Sequence, residues 1–375
     1  MKLNVSKDEM QEKLANIQNI IEKKNTMPIL SHFLLNADKK GSYIIATDIE
    51  TALKEPLDVN LEEEGKICIP ARKLFEIVRE VEGDLSFETI EESATDGWLR
   101  VRAGASDFKL ACLSPGDFPA WPAMGDVEEL YIDAPVLLEM IEKTIYSAGE
   151  SDTRYTLNSL LFHIKPQEKA FTVVGTDGHR LALIVRQTDG GVKEEKKIIV
   201  PRKAVSELRR FLNISDGQEV QKVKVLLGEK HLLFNIDEIQ FLTRLIEGSY
   251  PNYENVIPQA NEKKMLIARE PFTKVLRRVS VMSRERASAV RFELEEDKLT
   301  VSSSSPDLGE AKEEVSIDYK GDKVSLGFNA RYVLDVLGSM SSDKVIFEFQ
   351  DPLSPVLVKE EENDNYRCVI MPMRI

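Results

Sequence analysis

Cysteine is nearly absent. The 375-residue chain holds three, Cys68, Cys112 and Cys368, each set in an apolar run ("KICIP", "LACL", "RCVIM"). So few, so widely spaced and odd in number, they exclude a disulfide framework and any Cys-x-x-Cys metal or redox motif, and they fit a reducing cytoplasm. Histidine is equally sparse: His32, His163, His179 and His231 come without HxxxH spacing, and no GxSxG, Walker-type loop or DxD cluster accompanies them. The common signatures of hydrolases, metalloproteases and nucleotide enzymes are therefore missing. Glycine and proline form no tract, no apolar run is long enough to span a bilayer, and the opening "MKLNVSKDEM" is too polar for a signal peptide. Basic residues are outnumbered by acidic ones, 50 to 64, for a net charge of −14. Such a balance ordinarily argues against nucleic acid as a partner, although a total says nothing about where the charge lies.

What is present is a pattern written three times. "IPARKLFEIV" from Ile69, "VPRKAVSELR" from Val200 and "FNARYVLDVL" from Phe328 read alike: a strand end, a hinge, basic residues, then apolar positions at helical spacing. They recur at intervals of about 130 residues, the length of a typical domain. "ATDIETAL" at Thr47-Asp48 matches "GTDGHRLAL" at Thr176-Asp177, and "GDFPAW" matches "GSYPNY", both reading as exits from one unit into the next. Boundaries near 125 and 253 follow, giving domains 1–125, 126–253 and 254–375.

Each unit reads as two amphipathic helices and about eight short strands. The expected helices are Lys7–Lys24, Ala71–Glu82, Ala134–Ala148, Arg202–Leu212, Arg269–Arg286 and Ala330–Met340. The first of each pair carries the stripe Met10, Leu14, Ile17, Ile21; then Leu138, Ile141, Ile145; then Phe272, Val275, Val279, Met282. Alternating segments such as "LLFHI", "FTVVG" and "KVKVLL" lie between them, bounded by Gly, Asn and Asp. Because helices and strands do not alternate one for one, the fold class is α+β with antiparallel sheet rather than a doubly wound parallel sheet.

Charge is segregated along the chain. Arg202–Leu212 sums to +3 and Arg269–Arg286 to +4, while the six helices together carry +6 and the remainder −20. One surface would then attract a polyanion and another repel it. A unit of this size is roughly 30–35 Å across, so six of them in a closed ring leave a hole wide enough for a nucleic-acid duplex and its water. Three cannot enclose it, and a head-to-tail dimer is required. Basic helices lining the hole would make sequence-independent, salt-sensitive phosphate contacts.

The stretch "GTDGHRLAL" crowds Asp177, His179 and Arg180 between apolar runs. A catalytic reading needs a nucleophile, a metal or a second carboxylate nearby. The parallel "ATDIETAL" keeps Thr-Asp without the histidine, as expected if Thr-Asp builds a turn whose Asp accepts local backbone hydrogen bonds. The stretch is read as a turn lining a binding groove. Trp98 and Trp121 read as packing residues.

Taken together, the threefold repeat, "TDGHRLAL", "IVPRKAV", "YPNY", "FNARYVLDVL" and the closing "VIMPMRI" resemble the bacterial sliding clamps, the beta subunits of the replicative DNA polymerase holoenzyme. The likeness runs over the whole chain. It implies a ring-shaped homodimer of six like domains that encircles duplex DNA, tethers polymerases, the clamp loader and repair factors through linear motifs, and has neither catalytic activity, cofactor nor metal. It implies a partner-peptide pocket between the second and third domains formed by Leu157, Thr176, Gly178, His179, Arg180, Leu181, Pro251, Val256, Tyr332, Val369, Met371, Pro372, Met373 and Arg374, with Arg154 at its border. Lys24, Arg79, Arg202 and Lys203 match its DNA-facing positions, and Ser151 and Tyr155 a loop that touches the duplex; the charge pattern adds Arg277 and Arg278. Phe108 and Leu110, with Val281 and Met282, match its dimer interface. The chain departs from many relatives at Thr156, where a second aromatic is common, and at Asn255, where a basic residue is. Leu353 and Pro355 also stand at variable positions near the groove's far end.

Overall fold

The computed structural model describes residues 1–21, 27–91, 97–188, 191–214, 222–259, 261–283 and 289–374. Six helices occur among them: α1 (Lys7–Ile17), α2 (Ala71–Glu80), α3 (Ala134–Glu142), α4 (Arg202–Ile214), α5 (Arg269–Ser280) and α6 (Ala330–Ser339). Every strand pairing is antiparallel. Among the described residues nine strands precede residue 113, eight lie between 128 and 244, and eight between 263 and 370. The fold is therefore α+β, three tandem copies of a two-helix, roughly eight-strand domain.

The helices start where local chemistry favours a start. The Ser6 hydroxyl caps α1 by accepting from the Glu9 amide at 3.2 Å, and Asp8 and Glu9 sit in its positive first turn. Asn329 caps α6 through the Arg331 amide at 3.0 Å. Met10, Leu14 and Ile17 are fully buried beneath α1, and α1 packs on α2 as α5 packs on α6. The helix α3 departs from expectation. It ends at Glu142, and a short 3-10 turn takes Ile145–Ser147. There the Thr144 hydroxyl donates back to the Met140 carbonyl at 2.7 Å. Its buried stripe is Leu137, Met140, Ile141 and Thr144, with Leu138 only half-buried; in "APVLLEMIE" almost every position is apolar, so periodicity could not choose the face. The helix α5 also stops short, at Ser280, and residues 284–286 lie outside the described residues.

Contacts gather the chain into two compact units that cut through the middle of the second repeat: Met1–Ala134 with Arg210–Leu245, and Pro135–Arg209 with Ile246–Ile375. The cause is hydrogen bonding from one repeat to the next. In the first unit an eight-stranded sheet runs Glu128–Asp133, Lys222–Leu227, His231–Ile236, Ile239–Arg244, Thr51–Pro56, Tyr43–Thr47, His32–Ala37, Gly65–Pro70. Ile239–Arg244 pairs directly with Thr51–Pro56, joining residues nearly 190 apart in sequence. In the second unit an eight-stranded sheet is joined the same way, by Arg180–Gln187 against Asn363–Ile370. Smaller sheets complete each unit. One of five strands ends at Ser106–Cys112 and one of four ends at Gly309–Ser316.

Candidate functional site: an apolar groove in the second unit

The turn at Thr176 shows how the groove is made. Asp177 Oδ1 accepts from the His179 amide at 2.9 Å and the Arg180 amide at 3.0 Å, while the Thr176 hydroxyl donates to the Arg180 carbonyl at 2.7 Å. Gly178 sits at φ +86°, a left-handed conformation that glycine adopts without strain, and a Cβ there would press on an Arg154 nitrogen 3.1 Å away. Asp177 is thus a turn residue, its other oxygen holding Arg180 Nε at 3.1 Å. Burial pushes the Cys68 and Cys112 thiols up to about 12 and Cys368 to about 11, leaving all three protonated.

Arg180 anchors the wall. Its side chain is buried, its guanidinium reaching the Asp335 carboxylate at 2.5 Å and the Tyr146 carbonyl at 2.6 Å. It lies against the Tyr332 ring, 4.4 Å from the centroid. Arg154 closes one end: it clasps Asp152 through Nε at 2.9 Å and Nη2 at 2.8 Å, and reaches the Asp177 carbonyl at 3.2 Å. Those hydrogen bonds push the Asp152 carboxyl down to about 2.

The result is a cavity of about 160 Å³ lined by Arg154, Leu157, Thr176, Gly178, His179, Arg180, Leu181, Pro251, Tyr253, Val256, Val369 and Met371. Leu181 and Val369 are paired across neighbouring strands and both buried, forming the floor; Val256 and His179 are exposed at the mouth. The Met371 amide donates to the His179 carbonyl at 2.9 Å, holding the last turns of the chain against the turn. An apolar slot with a few fixed polar groups suits an extended peptide more than a polar metabolite.

Eleven of the fifteen expected pocket residues therefore line one cavity. Tyr332 stands one layer back, against Arg180, and Pro372, Met373 and Arg374 run past the lining, the Met373 amide donating to Gly327 O at 2.8 Å. Leu353 and Asn255 are exposed, Thr156 and Pro355 half-buried. One lining residue was missed. Tyr253 is buried, its hydroxyl 2.7 Å from His163 Nδ1, whose other nitrogen meets Glu195 at 2.6 Å. Burial holds His163 below the usual imidazole range. The signal for Tyr253 was present in the match of "GSYPNY" to "GDFPAW".

The basic residues divide. Arg79, Lys203 and Arg277 are exposed on α2, α4 and α5, opposite the buried stripes, and Ser151 and Tyr155 are exposed in a loop. Lys24 lies outside the described residues. Arg202 is held by the Ala148 carbonyl at 2.5 Å and Glu150 at 2.9 Å, and Arg278 by Glu313 at 2.9 and 2.5 Å. Phe108 is half-buried and Leu110 buried on the edge strand Ser106–Cys112; Val281, just past α5, is 73% exposed, and Met282 is half-buried. Trp98 lies under Lys109, and Trp121 packs against two apolar clusters while also edging a cavity in the first unit. Among the described residues no helix is long and apolar enough to cross a membrane, and no group of three or more His, Cys, Asp or Glu side chains is placed to hold a metal ion.

Comparison with known proteins gives one answer along the whole chain. Residues 1–122, 131–252 and 254–374 match the N-terminal, central and C-terminal domain models of the DNA polymerase III beta subunit. The beta sliding clamp of Caulobacter vibrioides is 33% identical over 377 residues, covering all of both chains. Among solved structures, the DNA polymerase III subunit beta of Pseudomonas aeruginosa superposes with a TM-score of 0.93 at 30% identity. The sliding clamp of Bartonella birtlesii bound to griselimycin does so at 0.94 and 31%, each covering the full length of both chains. The chain belongs to the DNA polymerase III beta subunit family, the beta sliding clamps.

Proposed function

We propose that this chain is a non-catalytic processivity factor: a homodimer of six domains, three per chain with boundaries near 125 and 253, that encircles duplex DNA in the bacterial cytoplasm and tethers the replicative polymerase and other factors. The observation that carries this reading is the apolar groove of the second unit. Eleven residues assigned to a peptide pocket by family resemblance converge there on one cavity. A bound peptide burying one Leu and one Phe side chain gains roughly 1.5–3 kcal/mol from each. After ordering costs, about micromolar affinity results, weak enough for partners to exchange at one site.

For the duplex, Arg79, Arg202, Lys203, Arg277 and Arg278 are the phosphate contacts we favour, with Ser151 and Tyr155, exposed in their loop, touching as well. Arg202 also binds Ala148 and Glu150, next to the segment that carries Ser151. Arg278, clasped by Glu313, orders α5 against the edge strand Gly309–Ser316. Dimerisation would use Phe108 and Leu110 on the open edge Ser106–Cys112 against the Val281–Met282 region of a second copy, an unpaired strand edge being a ready site for association.

The test is topological. Loaded by a clamp loader and ATP, the protein should stay on nicked circular DNA and be lost from the same DNA once linearised. Equal retention on both would contradict an encircling ring.

A further inference from the structure

The turn at Thr47 is a second copy of the turn at Thr176, and it too stands beside a groove. The Thr47 hydroxyl donates to the Thr51 carbonyl at 2.7 Å, and Asp48 Oδ1 accepts from the Thr51 amide at 2.6 Å. Ile49 takes φ +80° where Gly178 takes +86°. The Arg244 amide donates to the Glu50 carbonyl at 2.8 Å, as Met371 does to His179 at 2.9 Å. Ala52 is paired with Leu242 as Leu181 is with Val369. Pro119 and Trp121 in "FPAW" hold the places of Pro251 and Tyr253 in "YPNY". Seven of the twelve residues lining the second-unit groove thus have counterparts lining a groove in the first unit.

The two differ in volume and charge. The first-unit cavity holds about 310 Å³ against about 160 Å³, and Ala52 lines it where the other has Leu181. Its rim carries Lys230, His231 and Arg244. Lys230 is exposed and has no ion pair among the described residues, whereas Arg244 meets Glu50 at 3.6 Å. Burial first, then the Arg244 charge, opposed by Glu50, holds His231 below the usual imidazole range. At the mouth Ile49, a β-branched residue in a left-handed conformation, leaves its side chain 49% exposed. A strained backbone that presents an apolar side chain to solvent is a feature that binding sites retain.

We propose that this groove is a second peptide site, taking a linear segment of a partner protein that presents a bulky aromatic side chain flanked by carboxylates. The larger cavity, lined by the small Ala52, admits the ring, and Lys230 and Arg244 on its rim in an otherwise acidic protein select the carboxylates. The inference rests on reading the second-unit groove as a peptide site, of which this is the repeat.

Trp121 reports on the groove directly once Trp98 is replaced by Phe. Titrated with the tryptophan-free probe acetyl-Asp-Glu-Phe-Phe-Asp-Glu-amide, the full-length Trp98→Phe protein should show a saturable shift in Trp121 emission. The double change Lys230→Glu, Arg244→Glu should weaken it at least about tenfold, and raising salt from roughly 0.05 to 0.5 M should weaken it as well. Met371→Glu, in the other groove, should leave the Trp121 titration unchanged while weakening binding of a Leu–Phe peptide there. No emission change up to about 1 mM probe, a response indifferent to the charge reversal, or one abolished by Met371→Glu would overturn the proposal. If Met371→Glu leaves the Leu–Phe peptide unaffected, the reading of the second-unit groove fails, and the Trp121 response still decides this one.

Discussion

Asp177 looks, in sequence, like half of an acid–base pair with His179, yet both its oxygens are occupied by two backbone amides and Arg180. That much was legible, because the same Thr-Asp recurs at residues 47–48 without a histidine. The role of Arg180 was not, since its partners Asp335 and Tyr332 come from α6, some 150 residues away. Arg180→Ala removes the buried cation that both Asp177 and Asp335 bind. It should cost about 3 kcal/mol of stability in denaturant titration, and a loss below about 1 kcal/mol would show the network to be dispensable. Glu55 was equally hidden: "TALKEP" does not reveal that its carboxylate turns inward to Asn16, whose Nδ2 donates to it at 2.9 Å. Burial, opposed by the Lys13 charge and that hydrogen bond, raises its pKa from 4.5 to about 7. The folded chain keeps a proton there that the unfolded chain has released, so this group's contribution is full below pH 4.5 and is lost as pH rises toward 7. Glu55→Gln should therefore be more stable than the parent by roughly 3 kcal/mol at pH 8 and match it within about 1 kcal/mol at pH 5. Paired denaturant titrations check this, and an equal gain at both values would contradict it.

At the scale of elements, the starts of all six helices agreed best, at Lys7, Ala71, Ala134, Arg202, Arg269 and Ala330, whereas the buried face of α3 could not be read from its nearly uniform apolar sequence. Ends were harder, because polar side chains such as Thr144 close a helix through hydrogen bonds that periodicity does not register. Charge tallies located the basic helices but could not show that Arg278 pairs with Glu313, whose strand lies 35 residues on. The edge strand Ser106–Cys112 carries a sharper expectation. Phe108→Glu places a charge in the proposed contact between copies, and twofold symmetry repeats it. Dimer affinity should fall at least about 100-fold by analytical ultracentrifugation, with the monomer's circular dichroism unchanged. An undisturbed dimer would remove this edge from the interface.

For the whole molecule, the threefold repeat gave away the architecture from sequence alone. The way successive repeats are joined did not show, because it depends on strands such as Thr51–Pro56 and Ile239–Arg244 finding each other across long separations. Those joints create the grooves: each pairs the strand after a Thr-Asp turn with a strand of the next repeat. One chain supplies three domains, and a hole for duplex DNA needs six, so the account depends on pairing. Light scattering on a gel-filtration peak at micromolar concentration tests this most directly. The expected mass is twice the 42.4 kDa of one chain, and a mass of 42.4 kDa would contradict it.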